Sequence, residues 1–340
     1  MVHAGLAAAV SGAYGLKLAE IAPAAGRGES ALHFRAVDVG GRPWFLKVVL
    51  PDRCYPRRPR QLDGALRLTA LLRKRVHAGN IVVPVPTRQG EPMVRVGSAW
   101  LVLFPFVEAA PLGDRATWPD AALEAVARIV GELQASTGAL GHLAPWTERF
   151  ELGYERLLAR ALDGLAALAS DARPGQRTAQ EAILPRRRDV LDLLERHRAL
   201  RAHARRRRPR LVLCHTDLNG DNLLVDAAGR VHVVDWDYLR LAPPEQDVRY
   251  VLDPPRLRLA LRAYEDAAGP TPLDADMFGF YFHRRVLLDL AYFACRILTP
   301  GRTDTQDAHD LAVIRSDSFW AFDGGLDARI EALRAALGAP

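Results

Sequence analysis

The sequence predicts an α+β chain of two unlike parts. A small antiparallel sheet lobe with one helix is expected over residues 1–104, and a larger, mostly helical lobe over 105–340. Three observations predict this. Short runs over residues 16–50 alternate apolar with polar side chains, the period of half-buried strands. Beyond residue 118 leucines and alanines recur at three- and four-residue intervals, the period of helices. The length of 340 residues suits two lobes at roughly 100–200 residues per domain.

The elements follow in order. LKLAEIAP alternates and reads as a strand. ALHFRAVDV follows the glycine-containing stretch AAGRGES, and Gly40-Gly41 turns the chain into RPWFLKVVL, a hairpin signature. Residues 61–77 carry leucines at helical spacing, and residues 81–85 and 100–106 return to strand character. The proline-containing stretch 104–114 links the two parts. Helices are expected over 119–137, 151–169, 176–206, 255–268, 273–299 and 326–337. The exception in this half is an island at 211–237, with short apolar runs around a polar loop and an Ala-Ala-Gly turn.

Composition excludes several function classes. Apolar residues make up 49% and charged residues 25%, ordinary globular usage rather than disorder. No apolar run reaches the roughly 18 residues of a membrane span. The first twenty residues lack a basic segment ahead of an apolar one, so no signal peptide is expected. Three cysteines are too few for a disulfide framework or a zinc site, and a cytoplasmic location is the expectation. The net charge of +6 is local: residues 185–210 hold eleven Arg against Asp189, Asp192 and Glu195, and without them the chain is at −2. Val190, Leu191, Leu194 and Leu200 mark that segment as an amphipathic helix with a solvated, ion-paired face. It lacks the interleaved aromatics of a nucleic-acid binder, so neither nucleic acid nor membrane is an expected partner.

The chemistry concentrates in the island LVLCHTDLNGDNLLVDAAGRVHVVDWD. Its loop places His215, Asp217, Asn219, Asp221 and Asn222 within eight positions, and the last strand delivers Asp235 and Asp237. A hairpin between Asn222 and Asp235 would collect Asp217, Asn222 and Asp235 at one edge. Oxygen ligands of this kind suit Mg²⁺. A carboxylate set aside from the metal suits a base that orients a hydroxyl nucleophile.

The pattern H-x-D-x-x-x-x-N followed by D-x-D resembles the aminoglycoside phosphotransferase family, whose fold is bilobal and protein-kinase-like. The Leu-Cys-His-x-Asp, Asp-Trp-Asp and Leu-Ala-Pro-x-Glu-x-Asp segments are most similar to its spectinomycin phosphotransferase branch. The resemblance runs from about residue 15 to about residue 295 and is densest around 211–250. It implies a kinase using Mg²⁺ and ATP (or GTP) to phosphorylate a hydroxyl of an aminocyclitol, aminoglycoside or other sugar-bearing antibiotic. A metabolic kinase of the same fold, acting on a sugar, a choline-like amine or a homoserine-like alcohol, is the alternative. Residue by residue, it implies Asp217 as catalytic base, Asn222 and Asp235 as metal ligands, and His215 and Asp247 as structural support. Asn219 and Asp221 depart from the family pattern.

The resemblance also gives the N-terminal part a role. The chain has only three lysines, and Lys47 interrupts an apolar strand, so it is the candidate for the nucleotide phosphates. Its ion-pair partner should come from the next helix. Residues 51–90 contain no Glu, which leaves Asp63 as the candidate. Gly26, Gly28 and Ser30 lie where a phosphate-covering loop is expected, with Ser30 the hydroxyl donor. Residues 101–107 should form the hinge that reads the base, with Phe104 and Phe106 its candidate nucleotide contacts. A cationic acceptor needs carboxylates, and Asp237, Glu245 and Asp289 are the chosen candidates, with Asp253 and Glu265 also available. Asp237 is expected either to pair with an acceptor ammonium or to assist the metal.

Overall fold

The computed structural model describes residues 2–24, 31–51, 54, 59–252 and 254–338. In chain order, helix α1 (Val2–Tyr14) leads into strands β1 (Leu18–Pro23), β2 (Ala31–Asp38) and β3 (Pro43–Val49), then helix α2 (Pro59–Leu72). Strands β4 (Asn80–Ile81), β5 (Val94–Val96), β6 (Ala99–Pro105) and β7 (Ala109–Pro111) follow. Helices α3 (Asp120–Ala135), α4 (Thr137–Leu140), α5 (Glu155–Ala166), α6 (Pro174–Ile183) and α7 (Arg187–Arg207) come next. The island contributes β8 (Val212–Cys214), β9 (Leu223–Asp226), β10 (Val231–Val233) and β11 (Arg240–Ala242). Helices α8 (Glu245–Val248), α9 (Leu257–Ala268), α10 (Ala275–Ile297), α11 (Asp304–Asp317), α12 (Phe319–Phe322) and α13 (Gly325–Ala336) complete the described chain.

The chain divides into two compact units. The first joins Met1–Thr147 to Val212–Thr271, and the second joins Glu148–Leu211 to Pro272–Pro340. The first unit holds a five-stranded antiparallel sheet, β1-β2-β3-β6-β5, and a four-stranded sheet, β4-β10-β9-β7. Strand alternation sorts the side chains of β3. Trp44, Leu46 and Val48 pack with Leu6 and Val10 of α1 on one face. Val49 packs with Leu62 and Leu66 of α2 on the other. Lys47, two residues from Val49, is on that second face and only 4% exposed. Helix α1 was not among the sequence expectations; its alanine-rich segment favours helix by propensity without an obvious polar stripe.

The same unit contains α3 and α9, which cross at Gly131, where an added Cβ would lie 2.7 Å from Ala267 Cβ. Tyr264 of α9 donates to Gln134 Oε1 of α3 at 2.7 Å. In the second unit α10 is largely buried. The single helix expected over 176–206 is two helices separated by a 3₁₀ turn at Leu184–Arg186. Pro185 explains the break, since it has no N–H to continue the ladder. The arginines of α7 pair within this unit, Arg187 with Asp163, Arg196 with Asp327 and Arg198 with Glu155. Among the described residues no helix is long and apolar enough to cross a membrane.

Candidate active site

The loop between β8 and β9 begins with a strained bend. Thr216 has φ +77°, a left-handed conformation that a β-branched residue rarely adopts. Four hydrogen bonds hold it. Asp247 of α8 accepts from the N–H groups of His215 (2.5 Å) and Thr216 (2.7 Å). Gln246 Nε2 and the Tyr250 hydroxyl both donate to the Thr216 carbonyl at 3.0 Å. Asp247 is fully buried, and burial raises its carboxyl pKa, opposed by His215 and by the two amides.

His215 is also fully buried, edge-on to Trp236 with centroids 4.5 Å apart. Its Nδ1 accepts from the Asp217 N–H at 3.2 Å. That assigns the ring proton to Nε2, which faces the Val234 carbonyl at 3.0 Å. The imidazole therefore ties the loop to the strand that carries Asp235.

Asp217 is half-buried, with its carboxylate in a ring of donors. Asn219 Nδ2 reaches Oδ1 at 3.1 Å and Asn222 Nδ2 reaches Oδ2 at 3.2 Å; the Tyr250 hydroxyl, whose one proton goes to the Thr216 carbonyl, lies 3.4 Å from Oδ1. Asn219 also caps the next turn through its side-chain oxygen, accepting from the N–H groups of Asp221 and Asn222. That turn needs Gly220, because an added Cβ would lie 1.8 Å from the Gly113 carbonyl oxygen. The Asn222 carbonyl accepts from Val234 N–H at 3.0 Å, so Asn222 sits beside Asp235. Asn222 Nδ2 is committed to Asp217, which turns the amide oxygen into the atom available to a cation.

Lys47 closes the cluster. Its ammonium lies 2.7 Å from Asp235 Oδ1 and 2.8 Å from Asp237 Oδ2. Asp235 has φ +61°, a conformation that Asp tolerates better than most residues. The side chains alternate across this segment: Asp235 and Asp237 converge on Lys47, and the buried Trp236 lies under His215. Lys47, Asp217, Asn222, Asp235 and Asp237 thus belong to one unit, assembled from segments nearly 190 residues apart in sequence.

One sequence expectation is corrected here, and three acceptor candidates are found buried or ion-paired. Asp63, expected as the partner of Lys47, accepts instead from Arg67 Nε at 2.8 Å, one helical turn on. The inner face of α2 presents Leu62 and Leu66 toward the sheet, so its acid turns outward. Asp237, expected to face an acceptor or a metal, has a side chain only 2% exposed and bonded to Lys47. Glu245, expected at the acceptor, is buried in α8, all of whose residues are buried because Asp247 must reach inward to the loop. Asp289, another acceptor candidate, lies in the second unit and is ion-paired with Arg285 Nε at 2.6 Å, one turn away on α10.

Ser30, Gly26, Gly28 and Asp253 lie outside the described residues. Phe104 stands opposite Phe45 in the β3–β6 register, with ring centroids 6.4 Å apart. Phe106 lies under the Arg35 guanidinium and lines a cavity of about 330 Å³ with Arg73, Asn80, Glu108, Asp226 and His232. None of the Lys47–Asp217 cluster lines that cavity. Tyr250 and Gln246 were not foreseen; their only sequence signal is proximity to Asp247.

Residues 22–280 match the phosphotransferase enzyme family, three quarters of the chain. The chain belongs to that family. A curated relative, protein StrN of Streptomyces griseus, is 28% identical over 260 residues, covering 73% of this chain and 75% of StrN. The fold is kinase-like. It superposes on spectinomycin phosphotransferase APH(9)-Ia, solved with ADP and spectinomycin, with a TM-score of 0.74 at 14% identity, covering 95% and 97% of the two chains. Amicoumacin kinase hAmiN, solved with AMP-PNP, Ca²⁺ and Ami, gives 0.61 at 15% identity, covering 95% of each. As a member of the phosphotransferase enzyme family, this chain is a small-molecule phosphotransferase. Its cluster has the groups such chemistry needs: an oriented carboxylate, an amide oxygen and a carboxylate for a cation, and a buried ammonium for phosphate.

Proposed function

We propose that this phosphotransferase moves the γ-phosphoryl group of a nucleoside triphosphate, ATP or GTP, to a hydroxyl of an aminocyclitol, aminoglycoside or other sugar-bearing antibiotic. Residues 1–104 would form the nucleotide-binding lobe and 105–340 the catalytic and substrate-binding lobe, in a cytoplasmic enzyme that confers resistance or self-protection. The observation that carries the reading is the Asp217 carboxylate, held by Asn219 and Asn222 in the same unit as the Lys47–Asp235 pair.

In this reading Asp217 accepts the proton of the acceptor hydroxyl as its oxygen bonds to the γ-phosphorus. The bond from that phosphorus to the bridging oxygen breaks, and the nucleoside diphosphate leaves with the electron pair. A base so positioned contributes roughly 10²–10⁴-fold. Asn222 and Asp235 fit a Mg²⁺ ion, being oxygen donors of the type Mg²⁺ prefers. When bound, the ion neutralises charge on the β- and γ-phosphates. Lys47 holds the phosphate oxygens, and His215, Asp247 and Gln246 fix the loop. The likeness to solved kinases of spectinomycin and amicoumacin supports the antibiotic class.

The test is a product assay. Purified protein is incubated with Mg²⁺ and ATP or GTP against aminocyclitols, aminoglycosides, simple sugars and amino alcohols. Mass spectrometry should show one added phosphoryl group on a drug of the first two classes, with turnover far above that of the amino alcohols. A sensitive host expressing the protein should survive that same drug. Efficient phosphorylation of an amino alcohol or simple sugar alone would replace the reading with a metabolic one.

A further inference from the structure

We infer that Asp237 is the permanent counter-ion of Lys47 and takes the place of the helix carboxylate that kinase-type sites use for this purpose. The inference rests on the phosphotransfer reading and assigns Asp237 as a positioning residue for nucleotide phosphates, not a contact for the acceptor. In kinases the strand lysine is held by a Glu from the following helix. Here α2 offers no such acid on its inner face. Residues 51–90 contain no Glu, the inner face of α2 is leucine, and Asp63 is bound to Arg67.

A buried ammonium still requires a charged, hydrogen-bonded partner. Lys47 is 4% exposed, and among the described residues Asp235 lies at 2.7 Å and Asp237 at 2.8 Å. They are not equivalent. Asp235 is more open, with a side chain 30% exposed against 2% for Asp237, and it is the carboxylate suited to a cation. A cation on Asp235 draws charge away from Lys47, whereas Asp237 is enclosed and stays with it. An ammonium has three donors, so one hydrogen can remain on Asp237 while the head faces phosphate. The pair joins β3 to the segment after β10, both in the first unit. Neither of these two carboxylates comes from α2.

The test measures nucleotide binding without any acceptor, so it stands even if the acceptor class is wrong. Four proteins are compared: wild type, Asp237→Asn, Asp237→Glu and Asp63→Ala. A fluorescent ATP analogue with Mg²⁺ gives Kd. An acyl-phosphate derivative of ADP labels the lysine, and tryptic mass spectrometry reads Lys47, one of only three lysines in the chain. Asp237→Asn should weaken nucleotide binding roughly tenfold to a hundredfold, the size of one hydrogen bond to a charged group, and slow Lys47 labelling in proportion. Asp237→Glu should recover much of both, and Asp63→Ala should match wild type. With an acceptor in hand, its KM should be unchanged in Asp237→Asn. Should that variant not fold, melting of Lys47→Met and the Lys47→Met/Asp237→Asn double variant decides. The double variant should melt no lower than Lys47→Met, since Asp237 without its lysine is a buried lone charge. Normal nucleotide binding and labelling in Asp237→Asn, or loss of both in Asp63→Ala, overturns the inference.

Discussion

Asp247 Oδ1 accepts the N–H of Thr216 at 2.7 Å, and Thr216 is a β-branched residue held at φ +77°. The second oxygen of the same carboxylate takes the preceding amide, His215 N–H, at 2.5 Å. A buried acid thus stabilises a backbone shape that the sequence would not otherwise adopt, and that shape presents Asp217. Replacing Asp247 with Ala strands two buried donors, each costing about 1–3 kcal/mol. Asp247→Ala should lose about 2–6 kcal/mol in urea unfolding. A loss under 1 kcal/mol would mean that the bend holds itself.

Asp235→Ala should abolish phosphoryl transfer, and so should full chelation of the wild-type protein with EDTA, with activity returning on added Mg²⁺. Asn222→Ala should raise the Mg²⁺ concentration needed for half-maximal rate. Transfer that survives chelation would remove Asn222 and Asp235 from a metal-binding role.

The second unit carries an acid-sensitive core. His197 is fully buried, stacked on Phe280 with centroids 4.7 Å apart. Among the described residues neither ring nitrogen has a hydrogen-bond partner. Burial, reinforced by the charges of His283 and Arg284, pushes its pKa down from 6.5 to about 2. Below pH 6.5 the unfolded chain takes up a proton that the folded chain refuses, so stability falls as pH falls. The slope is about 1.4 kcal/mol per pH unit for one such group. His197→Phe keeps an aromatic ring on Phe280 and removes the titration. Its melting temperature should decline less than that of the wild type between pH 6.5 and 4.5. Parallel declines would show that other groups govern acid unfolding.

Much of the site was legible because its spacing is local. His215, Asp217 and Asn222 lie in one loop, and Asp235 follows after a hairpin whose short strands the sequence displays. The period-2 runs around Gly40-Gly41 likewise gave the register-forming strands β2 and β3. What stayed hidden depends on long-range packing. Nothing local shows that Asp237 meets Lys47 across 190 residues, or that α2 turns Asp63 outward. Gly220 reads as an ordinary turn glycine until Gly113 is found against it. Helices α1 and α11 carry weak periodicity. The break at Pro185 is masked in the sequence by the polar, arginine-containing pattern that continues on both sides.

Asp217→Asn is the most direct test of the central claim, that this carboxylate orients a hydroxyl for attack on a nucleotide phosphate. The variant keeps the shape of the side chain but sets an NH₂ donor against the amide of Asn219 or Asn222, losing one of these two bonds; the phosphate-binding Lys47 is untouched, so nucleotide Kd should change less than about twofold. The quantity to measure is kcat for phosphorylated acceptor, by mass spectrometry, beside the wild type under saturating nucleotide and Mg²⁺. The expected fall is about 10²–10⁴-fold. A kcat within a few-fold of the wild type would contradict the assignment of Asp217 as the base.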